Sequence, residues 1–240
     1  MKTNGISCHR QRIWNLVLTG LFLVVQTGWA ANNWTGGGDG ADWFDGANWS
    51  EGLPAAGQAV TVAAGTIDLT NATPELASFT MTGGKLTFQG WETALRATNL
   101  TIGATITHAA NTTSAPDPET GEWVPEHRIW LQGSNIMITA DGKLDADYMG
   151  YRKNAGPGRP GNQYGGAGHA RQGGRATTSG TPGGPAYGDP ATPWQPGSGA
   201  GTESYAREGG GAIKIDAVGA LTIEGTLTAN GMTGDYPSGS

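Results

Sequence analysis

Residues 60–69, VTVAAGTIDL, contain the pattern that decides the fold. Apolar residues alternate with other residues, a small glycine-bearing bend follows, and a second short alternating stretch completes the ten residues. Alternation at every second residue predicts strands with one buried face, and glycine lets the backbone turn a corner between them. Four further copies of this pattern follow: FTMTGGKLTF at 79–88, LTIGATITHA at 100–109, ITADGKLDAD at 138–147 and LTIEGTLTAN at 221–230.

The spacing of these copies predicts how they stack. The first three begin at residues 60, 79 and 100, about 20 residues apart. This length suits one coil of an all-β, right-handed parallel β-helix or solenoid, whose coils stack about 4.8 Å apart. An antiparallel β-sandwich is the alternative, because its strands also alternate and recur at short intervals.

The solenoid prediction assigns a direction to each side chain in the copies. An outward ladder of threonines is expected at Thr61, Thr80, Thr101, Thr139 and Thr222. The positions expected to point inward are Val60, Val62, Ile67, Leu69, Phe79, Met81, Leu86, Phe88, Leu100, Ile102, Ile106, Ile138, Leu144, Ala146, Leu221, Ile223, Leu227 and Ala229.

The composition excludes several other classes of protein. The chain has 42 Gly and 13 Pro among 240 residues, and inside a helix these cost about 1 and about 3 kcal/mol each, which excludes a helical bundle. The glycines lack the Gly-X-Y period of collagen. Beyond residue 30 the chain carries 11 basic and 20 acidic residues, so nucleic acid is not expected as a partner.

The first thirty residues have the order of a Sec-type signal peptide. Basic residues precede an apolar run at 13–25, and a small-residue site follows, with cleavage predicted between Ala30 and Ala31. The run is shorter than the roughly 20 residues of a membrane span, so no transmembrane segment is expected after signal removal. The protein is therefore predicted to be secreted or displayed on the outer cell surface. Its only cysteine, Cys8, lies within the signal peptide.

The rest of the chain divides into four segments. The segments are a Trp- and Gly-rich capping segment at 31–59, solenoid coils at 60–149, a glycine-rich insertion at 150–211 and a further coil at 212–240.

The insertion at 150–211 has a composition unlike that of the coils. It contains 19 Gly and no Val, Ile, Leu, Met or Phe, so it cannot bury enough apolar surface to order itself unaided. One interpretation is a solvated flexible linker. The other is a surface that contacts envelope or host glycans through aromatic faces and arginine forks. The candidate ligand-binding residues are Tyr164, Tyr187, Trp194, Arg171 and Arg175.

Two other groups of side chains are candidates for chemistry. Asp39, Asp42, Asp45 and Asn48 offer oxygen ligands for Ca²⁺ on a flexible loop, although Asx-turns also explain such residues beside glycine. Trp34, Trp43 and Trp49 are expected to cover the open apolar end of the first coil or to bind sugar faces.

Asp145 and Asp147 are the only candidates for catalysis. They lie two residues apart in a predicted strand and so point to one face, where paired carboxylates serve a polysaccharide lyase or glycosidase. The expected outward neighbours are mostly threonines, which have little proton chemistry. A solvated face without catalysis is therefore favoured.

Two longer stretches resemble large secreted bacterial surface proteins with β-helical, autotransporter-passenger-like repeats. The first is NWTGGGDGADWFDGANWSEGLPAAGQAVTV at 33–62. The second includes GGAGHARQGGR at 165–175, GGPAYGD at 183–189 and GGGAIKIDAVGALTIEGTLTANG at 209–231. The resemblance implies a non-enzymatic, adhesin-like structural protein that displays loops from a β-solenoid. The alternative is a polysaccharide-active β-helix enzyme or its carbohydrate-binding accessory part.

Proteins of this kind are usually much longer than this chain. The resemblance therefore implies an N-terminal fragment that continues into, or packs against, further β-helical coils.

Overall fold

The computed structural model describes residues 30–161, 165–175, 180–201 and 207–232. The regular structure in these residues consists of one short 3₁₀ helix, Gly46–Asn48, and twelve strands. The strands are β1 Asn32–Asn33, β2 Ala59–Val62, β3 Thr66–Leu69, β4 Leu76–Met81, β5 Lys85–Phe88, β6 Leu95–Ile102, β7 Thr105–His108, β8 Ile129–Ile138, β9 Lys143–Asp145, β10 Ile213–Ala217, β11 Leu221–Ile223 and β12 Thr226–Thr228.

From β2 to β10 successive strands alternate between two sheets, and every strand pair within the sheets is parallel. One sheet has the order β1-β2-β4-β6-β8-β10, with β11 also paired to β8, and the other has the order β12-β9-β7-β5-β3. We call each set of successive strands that contributes to both sheets a rung: β2 and β3 form rung 1, and β10, β11 and β12 form rung 5. The all-β prediction is confirmed, and the antiparallel β-sandwich alternative is wrong because the sheets are parallel.

Like side chains stack on like side chains along both sheets. Val60 pairs with Phe79, Phe79 with Leu100, and Leu100 with Ile136. In the second sheet Ile67, Leu86, Ile106 and Leu144 form an equivalent row. All of these side chains are buried. Each large apolar side chain contributes about 1.5–3 kcal/mol on burial, so the core between the two sheets supplies the main driving force of the rungs.

The fourth copy of the pattern has a different register from the one predicted. Ile138 pairs with Ile102, and Met137 takes the position opposite Thr101. The expected place of Thr139 in the outward ladder is therefore wrong, because the bend between β8 and β9 is two residues longer than the bend between β6 and β7. The side chain of Thr139 instead donates to the carbonyl of Ile102 at 3.3 Å.

Rung 5 differs from the prediction in its burial. Leu221, Ile223 and Leu227 pair in register with rung 4, but they are 45, 46 and 36 % exposed. Ala229, also expected to be inward, is exposed. The physical reason is that, among the described residues, no rung packs on the far side of rung 5.

The predicted capping segment covers the first rung. Trp34, Trp43 and Trp49 form edge-to-face contacts, with ring centroids 5.0 and 4.7 Å apart for the two pairs that Trp49 makes. The Trp43 ring lies 5.9 Å from the ring of Phe79. Trp43 and Trp49 belong to the hydrophobic core, so these tryptophans close its apolar end, as the capping interpretation expects.

Residues 109–128 leave the stack without adding a rung. They contain no strand, and β6 pairs directly with β8 across them. Asn111 anchors the segment by donating from its side-chain nitrogen to the carbonyl of Met149 at 2.9 Å. Glu126 closes it by accepting hydrogen bonds from the backbone and hydroxyl of Thr112.

The described parts of the glycine-rich insertion are packed through their backbone, which does not fit a solvated linker. Gly173 donates to the carbonyl of Gly184 at 2.9 Å, and Gly184 donates to that of Gly166 at 2.9 Å. The N–H of Gly197 donates to the carbonyl of Gly210 at 2.8 Å. A Cβ added at Gly184 would overlap the carbonyl of Gly158. Glycine is therefore required here because backbone segments touch, which no other residue permits.

Residues 1–29, which hold the predicted signal peptide, lie outside the described residues. Within the described part of the chain, no helix has the length and apolar character that a membrane crossing requires.

Candidate functional site

A cleft of about 500 Å³ lies between strand β10 and residues 191–194 of the glycine-rich insertion. Arg128, Trp194, Lys214 and Asp216 line it. Trp91 and Trp130 contact Arg128 directly behind the lining. We call these six residues the tryptophan cleft. Four segments that are far apart in sequence meet here, and none of them forms the site alone.

Strand alternation places the polar wall of the cleft. In β8 the side chains of Ile129 and Leu131 are buried in the core, so Trp130 between them lies on the outer face. Parallel pairing puts Lys214 beside Trp130 and Asp216 beside Gln132. The Lys214 ammonium lies 4.1 Å from the centroid of the Trp130 ring.

Asp216 fixes these neighbours in place. Its Oδ2 accepts hydrogen bonds from Trp130 Nε1 at 2.7 Å and from Lys214 Nζ at 3.1 Å. Gln132 Nε2 approaches the same oxygen at 3.4 Å, and Arg96 Nε donates to Gln132 Oε1 at 2.8 Å. Burial raises the pKa of Asp216, but these hydrogen bonds outweigh it and the net pKa is lowered. The carboxylate is therefore ionised, and its hydrogen bonds hold Trp130 and Lys214 in position.

Arg128 is a buried cation with few partners. Only 7 % of the residue is exposed, and its guanidinium carbon lies 4.5 Å from the Trp91 centroid and 4.2 Å from the Trp130 centroid. Its Nη2 is 3.4 Å from Glu92, whose side chain is 78 % exposed, and its buried Nε has no hydrogen-bond partner among the residues that the structure describes. Burial lowers the pKa of Arg128, and the nearby Glu92 and Asp216 only partly offset this.

The opposite wall, residues 191–194, is fixed at both of its ends. On one side, Asp189 accepts hydrogen bonds from the Ala191 backbone and from the Thr192 hydroxyl, both at 2.8 Å. On the other side, the Tyr187 hydroxyl donates to the carbonyl of Pro196 at 2.6 Å. His169 Nε2 lies 3.2 Å from the carbonyl of Gln195. This wall therefore has a defined position over β10.

Trp194 presents an open aromatic surface at the cleft. Its ring lies 5.9 Å from that of Trp91 in an edge-to-face contact, and the residue is 48 % exposed. An exposed indole beside fixed hydrogen-bonding groups suits a ligand with one apolar face and a polar edge. A pyranose ring has this character, because its C–H groups and its hydroxyl groups face different directions.

The structure separates the five predicted ligand-binding residues of the insertion. Trp194 lines the cleft. Tyr187 supports the wall instead, and burial raises its pKa to about 12. Arg171 and Arg175 are exposed and do not line the cleft, and Tyr164 lies outside the described residues.

The predicted calcium ligands are occupied by hydrogen bonds within their own loop. Asp39 Oδ1 accepts from two backbone N–H groups and from Asn48 Nδ2, at 2.8–2.9 Å. Asp42 and Asp45 also accept from backbone N–H groups two residues ahead, which is the Asx-turn geometry. The residues that the structure describes contain no group of three or more His, Cys, Asp or Glu side chains able to hold a metal ion. Calcium binding stays a prediction.

Asp145 and Asp147 also have protein partners, and the prediction that both lie in one strand is wrong, because β9 of the other sheet ends at Asp145 and Asp147 lies in the turn that follows. Asp145 forms an ion pair with Lys143 at 2.7 Å, and Asp147 accepts from the Asn230 backbone at 2.6 Å. Burial raises the pKa of Asp145, but the hydrogen bond from Lys143 and further contacts leave it lowered. A general acid needs the opposite shift, so Asp145 is suited to joining rungs 4 and 5.

Trp91, Arg128, Trp130, Lys214 and Asp216 were not among the predicted site residues. Their signal was present in two short stretches, IWLQ at 129–132 and IKID at 213–216, which share one alternating pattern. Pairing these stretches would have placed Trp130, Lys214 and Asp216 together on the outer face. Whether Arg128 and Trp91 reach the cleft depends on the conformation of their loops, which strand alternation does not predict.

Comparison with protein-family models, with curated protein sequences and with solved structures finds no match for this chain.

Proposed function

We propose that this chain is a secreted, non-enzymatic surface protein that binds saccharides in the tryptophan cleft. The observation that carries the proposal is the exposed face of Trp194 beside Arg128, Lys214 and Asp216 in one cleft of about 500 Å³. An aromatic platform stacks on the C–H face of a sugar, while fixed cations and carboxylates bind its hydroxyl groups. The adhesin-like resemblance of the sequence supports the same function.

The proposal includes the architecture that displays this cleft. We infer that the two parallel sheets form opposite walls of a right-handed parallel β-helix, in which each rung is one coil. The alternation of successive strands between the sheets supports this fold. Packing against further coils is also part of the proposal, supported by the exposed Leu221 and Ile223 of rung 5.

We also propose that the protein is exported. The basic, apolar and small-residue order of residues 1–30 supports cleavage between Ala30 and Ala31. Expression in a bacterial host, followed by N-terminal sequencing of the exported product, tests it. A mature product beginning at Ala31 is expected, and retention of the full chain in the cytoplasm would contradict export.

Saccharide binding is tested by titrating the protein with hexasaccharides while tryptophan fluorescence is measured. The panel contains cellohexaose, chitohexaose, hexagalacturonate and hexamannuronate. We expect at least one of these sugars to bind and to change the fluorescence. Trp194→Ala is expected to weaken binding about tenfold or more, since stacking contributes about 1.5 kcal/mol.

The control variant is Tyr148→Asn, which removes an aromatic side chain of similar exposure, 45 %, outside the cleft. Tyr148 has a φ of 63°, which asparagine adopts readily. Its affinity should equal that of the wild type. Saccharide binding in the tryptophan cleft is contradicted if no hexasaccharide binds, or if Trp194→Ala binds as tightly as Tyr148→Asn.

A further inference from the structure

Basic side chains outnumber acidic ones in the lining of the tryptophan cleft, unlike in the chain as a whole. The whole sequence has a net charge of −6, but the charged residues that line the cleft are Arg128, Lys214 and Asp216. Two cations and one carboxylate line it, while Glu92, outside the lining, lies 3.4 Å from Arg128. Because the lining itself has more basic than acidic side chains, it attracts an anionic group.

Arg128 has capacity for an anionic partner that the protein does not supply. An arginine has five N–H donors, yet the Arg128 guanidinium has one carboxylate contact, to the exposed Glu92 at 3.4 Å, and its Nε has no partner in the described part of the chain. Because the Glu92 side chain is 78 % exposed, water and salt weaken its pairing with Arg128. The guanidinium is also held over two indole rings, so its position is fixed before a ligand arrives.

Asp216 does not neutralise both cations. Its Oδ2 is shared by Trp130 and Lys214, and no hydrogen bond joins it to Arg128. Lys214 therefore pairs with a carboxylate that also lines the cleft, whereas Arg128 pairs at 3.4 Å with Glu92, whose side chain is 78 % exposed. A planar carboxylate in the cleft would match the fork of a guanidinium, which binds carboxylates in two parallel hydrogen bonds.

We propose that the tryptophan cleft recognises acidic saccharides, with the carboxylate of a uronic acid unit paired to Arg128 and Lys214. This inference rests on the proposed saccharide-binding function and adds the chemical class of the ligand. The sugar ring stacks on Trp194, and its carboxylate supplies a second anion for Arg128 in addition to the exposed Glu92. Asp216 is a positioning residue, because it orients Trp130 and Lys214 without contacting the sugar carboxylate.

The test compares each acidic hexasaccharide with its fully methyl-esterified form. Esterification keeps the sugar ring and removes the negative charge. Wild-type protein is expected to bind hexagalacturonate or hexamannuronate about tenfold to about a hundredfold more tightly than the matching ester, the range of a charge-assisted hydrogen bond. This preference should decrease as salt concentration rises, because salt screens the pairing.

Two variants show whether the preference arises in the cleft. Lys214→Gln, at a half-exposed position, should reduce the preference for the acid without loss of folding. Arg128→Gln should abolish it. Lys85→Gln removes an exposed cation from the other sheet and should leave the preference unchanged. If Arg128→Gln does not fold, Lys214→Gln and the ester comparison still decide the result.

The outcomes separate this inference from the function on which it rests. Equal binding of acid and ester, binding of neutral sugars alone, or a preference unchanged in Lys214→Gln would overturn the inference and leave saccharide binding intact. Absence of binding by every hexasaccharide would overturn the proposed function itself.

Discussion

In the rungs, apolar side chains from two parallel sheets fill a common core, and Phe79, Leu86 and Leu100 are almost completely buried. In the glycine-rich insertion, the described residues include no large aliphatic side chain, and backbone N–H groups donate directly to neighbouring backbone carbonyls. The comparison shows two ways to order one chain. Burial of large apolar side chains orders the rungs. In the insertion, the absence of side chains at glycine lets backbone segments approach and form hydrogen bonds.

The two regions meet at the tryptophan cleft. Strand β10 belongs to the rungs, and residues 191–194 belong to the insertion. A ligand that binds there contacts both regions, so the order of the insertion is a condition for the site.

The largest expected effect is on the core of the rungs. Phe79→Ala should lower the free energy of unfolding by about 3–5 kcal/mol, because it leaves a cavity beside Trp43. Urea unfolding followed by circular dichroism measures the change. Val218→Ala, at a residue that is 87 % exposed, is the control and should change stability by less than about 0.5 kcal/mol. Similar values for both variants would contradict a side-chain core.

The next effect concerns His108, which joins the rungs to the end of the insertion. Its Nδ1 is 2.8 Å from the carbonyl of Ala109, and its Nε2 accepts from the backbone of Ala212 at 3.2 Å. Burial lowers its pKa from 6.5 to about 4, although the bond to Ala109 opposes the shift. His108 is therefore neutral in the folded protein at pH 6.

The lowered pKa makes stability depend on pH in one direction. Between pH 6.5 and about 4, the unfolded chain binds the proton more readily than the folded chain, so the free energy of unfolding falls as pH falls. Across this pH range the free energy of unfolding falls by about 3 kcal/mol in total. His108→Gln should remove this component from the profile of unfolding free energy against pH. An identical profile for wild type and variant would be evidence against the buried neutral histidine.

A smaller effect is expected where the insertion packs backbone against backbone. Gly184→Ala should lower the free energy of unfolding by about 1–3 kcal/mol, because the added Cβ overlaps the carbonyl of Gly158. Gly180→Asn is the matched control, since Gly180 has a φ of 64° and a Cβ added there would meet no atom within 4 Å. If both variants unfold like the wild type, the insertion is not packed through its glycines.

The smallest effect on stability is expected at the cleft. Trp194→Ala removes a half-exposed ring and should change the free energy of unfolding by less than about 0.5 kcal/mol. A large loss of stability would mean that Trp194 holds the insertion in place, and the loss of saccharide binding would then have a structural cause.

Much of the rung architecture was predictable from alternation. A pattern with a period of two residues identifies the buried face of a strand, so the inward positions from Val60 to Ile106 are buried as predicted. The register of the fourth copy was not predictable in this way, because the bend at 139–142 is longer and the sequence pattern does not measure bend length. Nor does alternation predict whether another rung covers Leu221 and Ile223.

The insertion and the cleft were less predictable for a different physical reason. The sequence prediction counted apolar residues in the insertion and so expected little ordered structure. Glycines instead bring backbone N–H and carbonyl groups together, and these hydrogen bonds order the segment. The sequence identified Trp194 as a candidate for ligand binding. It did not identify Arg128, because the neighbours of that residue come from 91, 130 and 212–216, and only the folded chain brings them together.

The measurement that tests the account most directly is hydrogen–deuterium exchange of the full chain at the glycine amides of the insertion. The account predicts that Gly168, Gly173, Gly184 and Gly197, whose N–H groups donate to backbone carbonyls, exchange far more slowly than in an unstructured peptide. Exchange at the unstructured rate, while the amides of the rungs remain protected, would contradict an ordered insertion and with it the outer wall of the cleft.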